Sequence, residues 1–149
     1  MITGRISVTR DHSICCGHTV LGHEGKCANL HGHNYKITIE AEAPRLDSLG
    51  RVIDFGAIKH VCCEWLERQW DHKFLVFRDD KRAPVLKQMD PAGVVVVPFN
   101  PTAEEMAMYL LRTFQKLFNN EEAWAGCIKI RAVTVQETDK CAARFAVNT

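Results

Sequence analysis

From His31 to Ala43 the chain keeps an unbroken two-residue alternation. His31, His33, Tyr35, Ile37, Ile39, Ala41 and Ala43 fall on one face, and Asn34, Lys36, Thr38, Glu40 and Glu42 on the other. This is the signature of a β-strand with one buried and one wet face. Such a strand cannot stand alone, so the rest of the chain must supply partner strands and a layer to cover the apolar face.

The flanking patterns supply both. Ile2, Ile6 and Val8 lie at even positions and predict a first strand over 2–9. Pro44, Asp47 and Gly50 mark a turn before the short run Val52 to Phe55. Residues 56–70 change to helical spacing, with Ile58, Val61, Cys62 and Trp65 on one stripe. Residues 78–92 are charged and carry Pro84 and Pro91, which reads as a surface loop. Val94 to Val97 is a short apolar run stopped by Pro98 and Pro101. Thr102 with Glu105 fits a capping box, and the helix it opens has a stripe of Met106, Ala107, Leu110, Leu111, Phe114, Leu117 and Phe118.

Two closing strands are expected near 127–137 and 140–147. In the first, the apolar positions shift from even (Ile128, Ile130) to odd (Val133, Val135), as a β-bulge or a strand buried on both faces would require. The order strand, strand, helix, helix, strand, strand predicts an α+β fold. It would be one domain over 1–149, an antiparallel sheet with two helices on one face.

Composition narrows the function classes. A net charge of +1 without a run of like charges leaves no nucleic-acid footprint. No apolar stretch reaches membrane-spanning length, and the N-terminus lacks the layout of a signal peptide. The seven cysteines include the adjacent pairs Cys15-Cys16 and Cys62-Cys63, a poor framework for disulfides. Reduced thiols in a cytoplasmic protein are the expectation, with metal binding or catalysis as uses for some.

His31 and His33, two apart on a strand, project from the same face. Paired imidazoles at the mouth of a buried face suit a zinc site, whose catalytic form has three protein ligands and one open position, or could be two satisfied surface histidines at a strand end. His18 is the best third ligand, with His12 and His23 in reserve. Cys27 lies four residues before His31 and follows Lys26. A thiol near zinc and a lysine is expected to ionise readily and serve as base or nucleophile. It could equally be the fourth ligand of a closed structural site, with Cys15 or Cys16. Asp71-His72 could relay a proton, the carboxylate fixing the ring's tautomer, or could simply end the first helix. Glu137 ends a strand, where a carboxylate could accept two parallel N–H bonds from a guanidine-like ligand edge or merely be solvated.

Four segments occur together in order: Gly-Lys-Cys-Ala-Asn-Leu-His-Gly-His-Asn-Tyr (25–35), Asp-His-Lys (71–73), Asn-Pro-Thr-Ala-Glu-Glu (100–105) and Glu-Thr-Asp (137–139). In these the chain resembles the 6-pyruvoyl-tetrahydropterin synthase / 6-carboxy-tetrahydropterin synthase family, from about His18 to the last strand. The resemblance implies the tunnelling fold, a four-stranded antiparallel sheet with two helices. Three such sheets close into a β-barrel, and two trimers stack as a homohexamer with active sites at subunit interfaces. Carried over position by position, it implies zinc on His18, His31 and His33, Cys27 as catalytic base and His72 with Asp71 as proton relay. Glu137 matches the pterin anchor, and Thr102 falls in the segment lining the pterin pocket.

The implied substrate is 7,8-dihydroneopterin triphosphate. Of the two outcomes known in the family, the Ala-Asn-Leu gap between Cys27 and His31 resembles that of the enzymes forming 6-carboxy-5,6,7,8-tetrahydropterin for queuosine and 7-deazaguanine synthesis. The pyruvoyl-forming relatives generally have a longer gap. One departure stands out: Ile14-Cys15-Cys16-Gly17 precedes His18, where the family usually has an aromatic and small residues. A cysteine ligand therefore stays open at this stage.

Overall fold

The computed structural model describes residues 1–148. Its frame is a sheet of six strands: β1 (Ser7–His18), β2 (His31–Glu42), β3 (Lys73–Phe77), β4 (Val94–Val97), β5 (Lys129–Thr138) and β6 (Cys141–Ala146). Their order across the sheet is β4-β3-β1-β2-β5-β6. β1, β2, β5 and β6 are antiparallel neighbours, whereas β3 joins β1, and β4 joins β3, in parallel. The sheet is thus mixed and six-stranded, not a four-stranded antiparallel one. The difference comes from the short apolar runs at 73–77 and 94–97, which extend the sheet beyond β1.

One helical run crosses the inner face as α1 (Phe55–Ile58), a π-helical segment (Lys59–Cys63) and α2 (Glu64–Gln69). Asp54 caps it by accepting from the Gly56 N–H at 2.7 Å. α4 (Ala103–Asn120) is the long helix, with Thr102 Oγ1 accepting from the Glu105 N–H at 3.2 Å. Only this half of the capping box forms, because the Thr102 N–H is taken by the Asn100 carbonyl. The apolar stripes of α1, the π segment, α2 and α4 share one core with the inner side chains of β1, β2 and β5, including Ile14, Tyr35, Ile37, Ile39, Val133 and Val135.

α3 (Ala83–Met89) lies within the stretch that reads as a loop. Pro84, a breaker in a helix interior, sits in its first turn, where a missing N–H costs nothing. Ala83 packs with Val76 and Val94 in a small cluster separate from the main core.

The first strand runs over 7–18 rather than 2–9. Its inner face carries Arg10 and His12, which hide its alternation in the sequence. Their polar ends are met from the helical layer, by the Phe55 carbonyl at 3.3 Å and Glu67 at 2.7 Å. The shift of apolar parity in β5 is a bulge: Glu40 pairs with Ala132 and Ala41 with Ile130, so Arg131 is the extra residue.

Candidate metal centre and its cavity

β1 ends on His18 and β2 begins on His31, and the ladder pairs these two residues directly. Opposed residues of an antiparallel pair project from one face, and His33 joins them two positions along β2. The hairpin register therefore gathers three imidazoles whose ligand nitrogens all lie within 4.8 Å of one another. Gly17 and Gly32 are paired beneath them. A Cβ on Gly17 would stand 2.5 Å from Phe74 Cδ2, and one on Gly32 would stand 3.0 Å from the Cys16 carbonyl oxygen.

Backbone carbonyls fix two of the rings. His18 Nδ1–H donates to the Pro101 carbonyl at 2.7 Å, and His31 Nδ1–H to the Asn29 carbonyl at 2.7 Å. Each Nε2 is then a bare lone pair, and the two face each other at 3.1 Å. Lone pairs at that distance repel unless a proton or a cation lies between them. Among the described residues His33 Nε2 is buried and has no hydrogen-bond partner, which is costly for a polar atom. Glu137 Oε1 stands 3.4 Å from His18 Nε2 and 3.5 Å from His33 Nε2, adding negative charge beside the cluster.

Burial pushes the His18 pKa down and His31 adds to this, against the bond to Pro101 and the charge of Glu137. Burial likewise lowers that of His33, against Glu137. Both rings favour the neutral form that ligates metals. Three converging imidazoles, an orphaned nitrogen and an adjacent carboxylate fit a divalent transition-metal ion. Tyr35 packs edge-on against His18 and His33, and its buried hydroxyl makes no hydrogen bond of normal geometry among the described residues. Burial, with Glu137 nearby, raises its pKa.

Beside the triad lies a cavity of about 300 Å³ whose lining includes His23, Cys27, Thr102, Glu104, Glu137 and Cys141. Cys27 sits in a short 3-10 turn (Lys26–Ala28), tied down where its carbonyl accepts from the Val20 N–H at 2.8 Å. Thr102 enters as the cap of α4; its oxygen is used as acceptor, so its O–H remains free to donate into the cavity. Glu137 belongs to both the cavity and the triad's surroundings, and so connects them.

Asp71 and His72 lie elsewhere. The His72 N–H donates to the Cys15 carbonyl at 2.7 Å, and its ring borders a depression over Cys15, Gly17, Gly32 and Asn34, positions that alternate with those of the triad, with Cys16 and His33 also in its lining. Its backbone adopts φ 58°, an uncommon conformation outside glycine. Nδ1–H donates to Asp71 Oδ2 at 2.9 Å, while Asp71 Oδ1 accepts from the Cys15 N–H at 2.9 Å. Burial alone would raise the Asp71 pKa, but these bonds outweigh it and hold the carboxyl below its usual range. The His72 side chain is 78% exposed. Within one chain, then, His18, His31, His33, Cys27, Thr102 and Glu137 come together, while Asp71 and His72 do not join them.

The reserve residues separate as well. His12 pairs with Glu67, and His23 lines the cavity. Cys15 points to the outer face, donating to Asn34 Oδ1 at 3.0 Å. Cys16 is buried, its thiol pKa pushed up to about 12 by burial, with Asp71 and Cys15 adding to it. Neither belongs to the triad's ligand group. Residue patterns gave no sign of Cys141 or of the Pro101 and Asn29 carbonyls, since adjacency across a hairpin and backbone acceptors leave no pattern in a sequence.

The model of the family described as 6-pyruvoyl tetrahydropterin synthase matches residues 7–147. A protein of Rickettsia typhi named 6-carboxy-5,6,7,8-tetrahydropterin synthase is 34% identical over 138 residues, 91% of this chain and 96% of that protein. One of the same name from Rickettsia felis is 35% identical over the same shares. Among solved structures, an uncharacterised protein from Wolinella succinogenes superposes with a TM-score of 0.81 at 22% identity, covering 98% of this chain and all (100%) of that one. A Plasmodium vivax 6-pyruvoyltetrahydropterin synthase variant gives 0.72 at 19% identity, covering 99% of this chain and 100% of that one. At those identities the structural likeness speaks for the fold.

Proposed function

The chain belongs to the 6-pyruvoyl tetrahydropterin synthase family, and we propose that it is a 6-carboxy-5,6,7,8-tetrahydropterin synthase. It would convert 7,8-dihydroneopterin triphosphate and one water to that product with release of acetaldehyde and triphosphate. The product would feed queuosine and 7-deazaguanine synthesis in the cytoplasm, where the seven free cysteines stay reduced. The carrying observation is the pair of bare Nε2 atoms on His18 and His31, beside an orphaned His33 nitrogen and joined to the Cys27 cavity through Glu137. The Ala-Asn-Leu gap and the names of the relatives favour the carboxy over the pyruvoyl product.

Zinc held by His18, His31 and His33 would supply Lewis-acid polarisation of the substrate's side-chain oxygens. The protein's own groups do the rest. Glu137 accepts the N–H edge of the pterin and so sets the direction in which the side chain points. The Thr102 hydroxyl donates to the bound ring. Cys27 takes up the proton released from the side chain, and His72 returns one from Nε2 while Asp71 holds Nδ1. Cys27 as a closing fourth ligand fits less well, because it stands outside the cluster of ligand atoms.

His72 reaches this chemistry from a neighbouring copy. β3 pairs with Cys16 to His18 of β1, and Asp71 and His72 take the Cys15 N–H and carbonyl, so residues 7–14 present an open edge, and β6 forms the other end of the antiparallel part. Antiparallel pairing of β6 with the next copy's β1 satisfies both edges. It would bring the β6 side of the cavity, which Cys141 lines, towards the β1 edge of the next copy, next to which its His72 lies. Three copies joined this way close a barrel, and two trimers stack as a homohexamer.

Chelation tests the metal's part. Protein stripped of metal should release no triphosphate from dihydroneopterin triphosphate, and one equivalent of zinc per chain should restore turnover. Full activity after complete stripping would refute the assignment.

A further inference from the structure

Arg82 sits in the charged segment that the cavity leaves aside, at the start of α3. Its guanidinium turns away from that helix. Asp80 Oδ1 accepts from the Arg82 backbone N–H at 2.9 Å and from Nε–H at 3.1 Å, and Oδ2 from Nη2–H at 2.8 Å. This two-oxygen grip fixes the guanidinium plane. The remaining donors point at the Cys27 loop: Nη1–H to the Ala28 carbonyl at 3.0 Å and Nη2–H to Thr19 Oγ1 at 2.8 Å. Thr19 Oγ1–H in turn donates to the same Ala28 carbonyl at 2.8 Å. Thr19 is fully buried and Asp80 is 3% exposed, while the Arg82 side chain is 41% exposed, so the network is sealed on the acceptor side and reaches solvent only through the guanidinium.

The anchored carbonyl lies between two functional groups. One residue before it is Cys27. One residue after it is Asn29, whose carbonyl accepts His31 Nδ1–H and so aims that ring. We propose that Arg82, held by Asp80 and Thr19, is a positioning residue that sets the Cys27 thiol and the His31 ring relative to one another. The proposal deepens the pterin-synthase reading and rests on it for the role of Cys27. Arg82 touches neither substrate nor metal; it acts through the Ala28 carbonyl. A displacement of the loop by about an ångström is enough to cost on the order of a hundredfold in rate.

Lysine at this position keeps a charge beside Asp80, but one ammonium cannot reproduce a planar fork spanning Asp80, Thr19 and Ala28 at once. The test therefore compares Arg82→Ala, Arg82→Lys and a control, Arg78→Ala, whose side chain is exposed beside Asp79. Steady-state kinetics on dihydroneopterin triphosphate at saturating zinc, thermal melts, and the alkylation rate of the Cys27 peptide followed by mass spectrometry are read together. Arg82→Lys is expected to melt close to wild type, yet lose on the order of a hundredfold in kcat with KM within about twofold. Its Cys27 alkylation rate should change by about fivefold or more. The control should match wild type in all three.

If Arg82→Ala does not fold, Arg82→Lys carries the same test. Wild-type kcat and wild-type Cys27 reactivity in a folded Arg82 variant would overturn the proposal. So would losses that merely follow the folded fraction. Should the wild-type protein itself fail to turn over this substrate, the functional reading falls, while the alkylation rates still decide whether Arg82 positions Cys27.

Discussion

Two inactive variants should restore activity to each other. Cys27 lines the cavity beside the triad, whereas His72 stands apart from it, near the open edge of β1. If each working site takes Cys27 from one copy and His72 from the next, Cys27→Ala and His72→Ala damage different halves of every site. Alone, each variant should fall to about 1% of wild type or below, the usual loss when a general acid or base is removed. When the two are co-expressed at equal levels and mix at random in a closed ring, about a quarter of the interfaces pair an intact Cys27 with an intact His72. The mixed oligomer, isolated through two different affinity tags and assayed for triphosphate release, should therefore recover about a quarter of wild-type activity. Were both groups supplied by the same chain, each site would carry one lesion and mixing would restore nothing. Activity no higher than that of the single variants would refute the shared site.

Other perturbations read separate parts of the structure. His33→Ala removes the nitrogen that lacks a partner, so zinc per folded chain, measured by elemental analysis, should fall well below one equivalent while the circular dichroism spectrum holds; undiminished zinc would exclude His33 as a ligand. Gly17→Ala drives a methyl to 2.5 Å from Phe74 and should cost about 1–3 kcal/mol, lowering Tm by roughly 5 °C in a thermal melt; an unchanged Tm would mean that Phe74 moves freely. Asp80 has its pKa depressed, chiefly by the hydrogen bond from Arg82, so its stabilising contribution is present above the unfolded-state value and lost as pH falls below about 4. Asp80→Asn should accordingly lower the urea midpoint at pH 7 and approach wild type near pH 3, and a difference independent of pH would disprove that linkage.

What was readable in the residues was local. β2 announces itself because its inner face is apolar beyond His33 and its outer face polar throughout, and α4 because its stripe holds for the whole helix. Features that depend on pairing were not readable. β1 is masked by Arg10 and His12, whose partners lie in the helical layer far along the chain. His18 could be read only as the best of three candidate third ligands; what singles it out is its register against His31, a property of the ladder and not of spacing within one strand. Pro84 reads as a breaker until its place in the first turn of α3 is known. The Asp71-His72 pair was visible as chemistry, but which sheet face it occupies depends on where the chain emerges after α2. Arg82 was hidden among charges, since nothing in a basic side chain's neighbours tells that it will grip a carbonyl remote in sequence.

The identity of the reaction is read most directly from its products. Zinc-loaded protein incubated with 7,8-dihydroneopterin triphosphate should yield 6-carboxy-5,6,7,8-tetrahydropterin, with one acetaldehyde and one triphosphate for each substrate consumed, all resolved by mass spectrometry. A 6-pyruvoyl product without acetaldehyde would contradict the account.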